Sequence, residues 1–294
     1  MKILDFHDII KKKRKGVENG YMVIITGDLH GDFDRLNLIC EREHTNKNDI
    51  IVLLGDVGIN YYLNKTDVRI KKLLAELPVT LFCIQGNHEK PAKNIPTYKT
   101  IFFHGASALY EEEYPNIIFP IDGNIYCLNG YQCLVIGGAY SVDKWWRLTR
   151  AGVKDKFDKD YLNSKKTGWF PDEQLTQEEM SMIANNIKGR MVDFVFTHTC
   201  PETWEPKELF LRSVDQSTVD KTMEKWLDEI KDTFDWQIWC CGHYHGDMVL
   251  APYVEMFYTD FVEINDLLKT WEEYRETKEL PVWYMTSQYF KENK

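Results

Sequence analysis

The chain has 294 residues, 44% hydrophobic and 28% charged, which fits an ordinary globular protein long enough to bury a sizeable core. Its 46 acidic residues outnumber 36 basic ones, for a formal net charge of −10, and that balance disfavours a long nucleic-acid footprint, which needs a basic face to displace counterions. Seven scattered cysteines without a CxxC pair read as reduced thiols in a cytoplasmic protein, and no apolar run reaches the length of a membrane span.

Residues 1–20 read as an N-terminal extension. "MKILDFHDIIKKKRKG" places its charges after the apolar part, unlike a secretory signal. Leu4, Phe6, Ile9 and Ile10 suit one short amphipathic turn or strand, and "KKKRK" reads as a solvated linker. His7 and His44 carry no motif.

From Tyr21 a rhythm begins. "YMVIIT" (21–26), "DIIVLL" (49–54) and "VTLFCI" (79–84) are apolar, β-branched runs that predict buried strands. Between them, residues 32–43 and 67–77 have helical spacing. Strands alternating with helices imply βαβ units and a parallel sheet. "NIYCL" and "QCLVIGG" flank Asn129-Gly130, which predicts a β-hairpin with a tight turn. Residues 139–175 are polar, aromatic and irregular. A helix follows, opened by Thr176 with Glu179 three residues on, the spacing of a capping box. "VDFVFT" (192–197) and "WQIWCC" (236–241) predict two more buried strands around a helix near 218–231. The C-terminal part reads as aromatic-rich strands such as residues 255–264. Residues 21–294 read as one domain, with 139–175 as an excursion over one face.

Polar residues stand at the strand ends. "GDLHG" (27–31), "GD" (55–56), "GNHE" (86–89), "THT" (197–199) and "GHYHGD" (242–247) each follow a predicted strand. Open α/β sheets place ligands along the C-terminal edge of parallel strands, so these groups should converge. A lone Asp-x-His or Gly-Asp is more often a local hydrogen bond or a turn. Here five of the eight histidines occupy successive strand ends, and the joint pattern outweighs the ordinary reading of each piece. Asp28, His30, Asp56, Asn87, His198, His243 and His245 form a mixed oxygen and imidazole set without a thiolate. Such a set suits manganese, iron or zinc, and it is too large for one tetrahedral ion. In extended backbone, i and i+2 side chains point the same way, so each of Asp28–His30 and His243–His245 can face one site.

The series "GDLHG … GD … GNHE … TH … GHYH" resembles the calcineurin-like metallophosphoesterases, with all five motif blocks in order between residues 27 and 246. The resemblance implies a four-layer α-β-β-α sandwich of two mixed sheets and a dinuclear metal centre. Asp28, His30 and His245 would hold one ion. Asn87, His198 and His243 would hold the other, and Asp56 would bridge. His88 would act beside the scissile phosphate as general acid or charge stabiliser, oriented by Glu89. Two ions about 3.5–4 Å apart clamp a phosphoryl group and activate water as hydroxide for in-line attack. Manganese is the expected metal, with iron, zinc or nickel as alternatives. The expected activity is hydrolysis of a phosphomonoester or phosphodiester, on a nucleotide or another small phosphorylated molecule. Oligomeric state stays open.

"GDLHGDFDRL" and "GNHE" are similar to protein serine/threonine phosphatases and dinucleoside-tetraphosphate hydrolases. Their second block continues into Asp-Arg-Gly, whereas this one reads "GDVGINYY". The final "GHYH" resembles the phosphodiesterase and nuclease branch. "GGAYSVD" is similar to a stretch in bacterial and phage metallophosphoesterases of unassigned substrate. A protein phosphatase or nuclease is therefore an alternative, and a non-catalytic scaffold on the same fold, as in a retromer subunit, is another. The scaffold reading is disfavoured because every expected ligand is in place. Within 139–175, Arg147, Arg150 and Tyr140 are candidate substrate contacts, while each tryptophan is expected to pack the loop onto the sheet. His104 falls outside the motif blocks. Cys240 and Cys241 end a strand, where adjacent side chains face opposite ways, so they read as core residues rather than ligands, and Gly242 is expected to allow the turn.

Overall fold

The computed structural model describes residues 20–280; the N-terminal extension, apart from Gly20, and the "KKKRK" run lie outside the described residues. Two β-sheets form the centre. The first has seven strands, β1 (Val23–Thr26), β2 (Ile50–Leu53), β3 (Thr80–Cys83), β4 (Lys99–Phe103), β5 (Ala106–Tyr110), β6 (Ile117–Pro120) and β13 (Phe261–Glu263), in the order β13-β1-β2-β3-β6-β5-β4. Its middle strands β1, β2, β3 and β6 run parallel. The second has six, β7 (Ile125–Leu128), β8 (Tyr131–Ile136), β9 (Phe194–Thr197), β10 (Ile238–Cys241), β11 (Met248–Ala251) and β12 (Val254–Met256), in the order β11-β12-β10-β9-β8-β7. There β8, β9, β10 and β12 run parallel, and the two edge strands are antiparallel.

The period of two along each strand divides the apolar residues into three cores. Val23, Ile25, Val52 and Phe82 of the first sheet meet Val135, Phe194, Phe196 and Cys240 of the second in the central layer. The alternate residues Ile24, Ile51, Leu53 and Leu81 face outward onto helices α1 (Asp34–Glu43) and α2 (Lys65–Glu76), which contribute Leu36, Ile39 and Leu74. On the far side, Val195, Trp239 and Cys241 pack under α5 (Gln177–Ile187) and α6 (Thr222–Ile230). The result is the expected four-layer sandwich of two mixed sheets. Cys240 and Cys241 do point to opposite faces, one into each core.

Local signals explain most element ends. Asn129 and Gly130 both take positive φ in the β7–β8 turn, the requirement of the tight hairpin turn expected there. Thr176 and Glu179 make both hydrogen bonds of the capping box. In α6, Met223, Trp226, Leu227 and Ile230 share the buried face at three- and four-residue spacing.

Two regions depart from the expectation. Residues 99–120 add strands β4, β5 and β6, with His104–Gly105 as the β4–β5 turn at positive φ. There His104 accepts or donates at 3.2 Å from the Tyr21 hydroxyl, away from the motif blocks. The C-terminal stretch is not all strand. After β12 the chain crosses to the first sheet as β13 and continues as helix α7 (Ile264–Thr277), whose Ile264, Leu267, Leu268 and Trp271 enter the central core. Apolar spacing of three and four along 264–271 is the helical signal that the neighbouring aromatics obscured. The excursion contains two short helices, α3 (Lys144–Arg150) and α4 (Ser164–Thr167), with a small core of Leu148, Val153 and Trp169. Trp169 is buried as expected of a packing residue, but Trp145 and Trp146 are half-exposed or more.

Candidate metal centre

The strands β1, β2, β3, β9 and β10 end at one rim of the sandwich, and the seven candidate ligands gather there. Three groups of ligand atoms lie within 4.8 Å of one another: Asp28 with His30 and His245, His30 with Asp56 and His88, and Asp28 with Asp56 and His198. His30 Nε2 lies 2.8 Å from His245 Nε2 and 3.7 Å from Asp28 Oδ2, and His245 Nε2 lies 3.5 Å from that same oxygen. Ligands on one ion at bond lengths of about 2.1 Å are separated by about 3–3.5 Å, and the sides of this triangle, 2.8, 3.5 and 3.7 Å, bracket that size. On the other side, His198 Nε2 is 2.9 Å from Asn87 Oδ1 and 3.6 Å from Asp56 Oδ1. Asp56 thus turns Oδ1 to His198 and Oδ2, at 3.7 Å, to His30. His243 packs edge-on to His198 with ring centroids 5.0 Å apart, and its backbone N–H donates to both oxygens of Asp28, at 3.0 and 3.2 Å.

The donor set fits cations. His198 Nδ1 is 2.6 Å from the Leu54 carbonyl, which can only accept, so the ring proton sits on Nδ1. Its Nε2 then presents a lone pair. Asn87 Nδ2 donates to Ser141 Oγ at 2.9 Å, and Ser141 donates to Glu173 at 2.6 Å, which leaves Asn87 Oδ1 facing His198. Three acceptors, His198 Nε2, Asn87 Oδ1 and Asp56 Oδ1, therefore face one small space. Without positive charge that arrangement is repulsive. Titration behaviour agrees. Burial drives His198, His243 and His245 below their ordinary range, and His30 down to about 4, which keeps the rings in the neutral form that ligates. Burial and the neighbouring Asp56 push Asp28 up. Burial would also raise Asp56, but positive charge on His88, His198 and His30, whenever those rings are protonated, and the His88 backbone N–H act the other way and hold it below the carboxylate range. No cysteine joins these groups, which suits harder ions.

The backbone is unusual at these residues. His30, Asp56, His243 and His245 all take positive φ, between 46° and 72°. None of the four is glycine, and such conformations cost of order 1–3 kcal/mol each. The i, i+2 pairs therefore do not owe their common direction to extended backbone, as expected from sequence, but to left-handed turns. Gly242 also differs from its expected role: its φ is not in the positive range, and a Cβ there would lie 2.3 Å from Asp28 Oδ1. It is small so that β10 can approach Asp28.

His88 stands beside the candidate ligands, its ring 5.1 Å from that of His30. Its backbone N–H donates to Asp56 Oδ1 at 2.8 Å, and its Nε2 lies 4.0 Å from Asp56 Oδ2. Arg147 Nη2 stands 2.6 Å from His88 Nδ1. A guanidinium only donates, so Nδ1 accepts and the neutral ring carries its proton on Nε2, toward the centre. Glu89 does not orient this ring. Its carboxylate is fully buried and accepts from the amides of Val57 and Gly86, at 3.1 and 3.0 Å, tying the loops after β2 and β3 together. Arg147, expected at substrate, spends its donors on His88, Asp143, Gly168 and Tyr61. Tyr140 lines a cavity beside His243 and His245. Arg150 lies over Trp146 at 5.1 Å, in a separate cleft with Lys165 and Lys166.

Three supporting residues escaped the motif reading. Arg35 on α1 donates to the carbonyls of Asp28 and Tyr258. Tyr258 stacks on His245 at 4.9 Å. Asp247, the last residue of "GHYHGD", accepts from the amides of Tyr258, Thr259 and Asp260 and holds that loop. The spacing of Arg35 on the first turn of the helix after "GDLHG" was the available signal.

Comparison with known proteins gives a family match. The family model described as calcineurin-like phosphoesterase matches residues 21–247. No curated protein sequence matches the chain. Solved structures are similar as well; one of them has 15% identity and a TM-score of 0.45, covering 83% of this chain and 95% of the other.

Proposed function

The chain belongs to the calcineurin-like phosphoesterases, metal-dependent phosphoric ester hydrolases, and from that premise we propose that its rim centre cleaves a small phosphorylated molecule. We read Asp28, His30 and His245 as ligands of one ion, Asn87, His198 and His243 as ligands of a second, and Asp56 as shared between them. The observation that carries this reading is the meeting of His198 Nε2, Asn87 Oδ1 and Asp56 Oδ1, acceptors all, at one point. Manganese is the first choice of metal, with iron, zinc or nickel as alternatives. When bound, such ions supply positive charge to the phosphoryl oxygens and lower the pKa of water.

The chain's own residues supply the rest. His88, with its proton on Nε2, is a donor for the leaving oxygen as negative charge builds there. Arg147 positions it by occupying Nδ1. Asn87 keeps its oxygen inward through Ser141 and Glu173. We read residues 139–175 as a cap on a single domain, since both of these supports come from it. Seven free cysteines, none paired, support a reducing compartment. No helix among the described residues is long and apolar enough to cross a membrane.

The test is hydrolysis of 4-nitrophenyl phosphate and bis(4-nitrophenyl) phosphate by the manganese-loaded chain. At least one ester should be cleaved, and removal of metal, verified by elemental analysis, should abolish turnover. Full activity in the metal-free protein would sink the proposal. His88→Ala should lower kcat by about 10²–10⁴ while metal content stays at the native level.

A further inference from the structure

Beside the metal centre lies a second feature that hydrolysis alone does not explain. A cavity of about 280 Å³ opens where His243, Tyr244 and His245 form one wall. Residues 205–221, a run of short turns between β9 and α6, form the opposite wall. That run contributes Leu209, Phe210 and Leu211 to the lining. Leu211 is 59% exposed, Leu209 38% and Val142, also in the lining, 38%. Apolar side chains left open around a hollow are characteristic of ligand sites, where a few polar groups set orientation. Phe210 and Tyr244 stack across the two walls, nearly parallel at 18° and with centroids 6.0 Å apart, so an aromatic pair borders the hollow.

One polar group in the lining is unsatisfied. Glu224 of α6 is almost fully buried, and Oε1 accepts from Thr199 Oγ1 at 2.8 Å. Its Oε2 has no hydrogen-bond partner. Two other charged groups in the lining, Lys221 and Glu205, pair with each other at 2.6 Å, and Lys221 lies over the Phe210 ring. A buried carboxylate oxygen without a donor is costly, and a ligand that brings an N–H would remove that cost.

We propose that this cavity receives the organic part of the phosphoester, a planar aromatic or heteroaromatic ring carrying an amino donor for Glu224 Oε2. The proposal rests on the reading of the rim as the hydrolytic centre: phosphate held there has its ester substituent directed along the wall of His243 and His245. Leu209, Leu211, Val214 and Val219 give the ring an apolar lining beside the stacked Phe210 and Tyr244. Specificity then comes mainly from Glu224. A site built around a buried hydrogen-bonding group rejects an analogue lacking the matching group far more strongly than an apolar wall rejects a change of shape.

Adenosine and purine riboside, which lacks only the 6-amino group, are suitable probes. Their binding to the full chain is measured by calorimetry at a pH of about 8.5, above the value of about 7 to which burial pushes Glu224. Adenosine should bind about tenfold more tightly or better. In Glu224→Gln, Thr199 continues to donate to the amide oxygen and an NH2 group takes the place of Oε2, so the preference should collapse to within about threefold. Phe210→Ala, on a surface turn, should weaken both nucleosides together and serves if the buried variant fails to fold. The manganese-loaded protein is assayed in parallel on the two 5′-monophosphates and on 4-nitrophenyl phosphate. Equal binding of the two nucleosides, binding of neither, or a preference that survives Glu224→Gln overturns the cavity assignment while the hydrolase reading stands if 4-nitrophenyl phosphate is cleaved. Selective nucleoside binding with no ester cleaved by the metal-loaded chain overturns the hydrolase reading, and the cavity then is not a substrate pocket.

Discussion

At the residue scale, the identities of the site were legible and their conformations were not. Asp, Asn and His at five strand ends named the candidate ligands that the fold brings together, because those side chains have few other reasons to cluster in that order. Nothing in the letters shows that His30, Asp56, His243 and His245 sit at positive φ, because that region is ordinarily read from glycine. Gly242 shows the converse, a glycine whose value lies in its missing Cβ. Gly242→Ala should displace Asp28, since the added carbon would fall 2.3 Å from its Oδ1. The expected outcome is a folded protein with one ion fewer per chain, read by elemental analysis. Cys240→Ala should keep both ions, because that side chain lies in the central core. His243→Ala should lose one. If Cys240→Ala were the variant that emptied the site, the assignment of these neighbours would be reversed.

At the element scale, the βαβ rhythm and the Asn129-Gly130 hairpin were readable because periodicity and turn chemistry agree there. Strands β4 and β5 were missed because they are partly exposed toward one edge of the sheet, where the apolar pattern is weak, and β6, though buried, because it is only four residues long and ends in Pro120. The excursion's effect on the metal centre was also invisible, since it depends on contacts 54 and 59 residues apart, Asn87 with Ser141 and His88 with Arg147. Ser141→Ala removes the acceptor for Asn87 Nδ2, freeing the amide to turn its NH2 group inward. Groups that orient ligands are typically worth 10- to 100-fold in metal affinity. A manganese titration should show a loss of about that size at one of two sites, with the other unchanged. Equal weakening of both sites would mean a general loosening of the cap rather than a specific hold on Asn87.

At the scale of the whole molecule, buried carboxyls shape stability. Burial raises Glu89 to about 8 and both Glu173 and Glu224 to about 7, from an ordinary 4.5. Each therefore binds its proton more tightly in the folded chain, and its contribution is lost as pH rises from 4.5 through the raised value. The lowered histidines act oppositely, but only below their ordinary 6.5. The window from about 6.5 to 8 belongs to the carboxyls, where the metal-free protein should lose a few kcal/mol of stability. Urea unfolding across that window measures it, and Glu224→Gln should flatten the slope. A slope rising with pH in the native chain would contradict the assignment. The rim centre has a further consequence for the sandwich. Asp28, Asp56 and Asn87 follow strands of one sheet, whereas His198, His243 and His245 follow strands of the other. The distance across the site is thus set by the thickness of the central core, tens of side chains that never touch an ion. Core packing becomes a gauge for coordination, and a methyl group added deep between the sheets acts on catalysis as a shim acts on a vice.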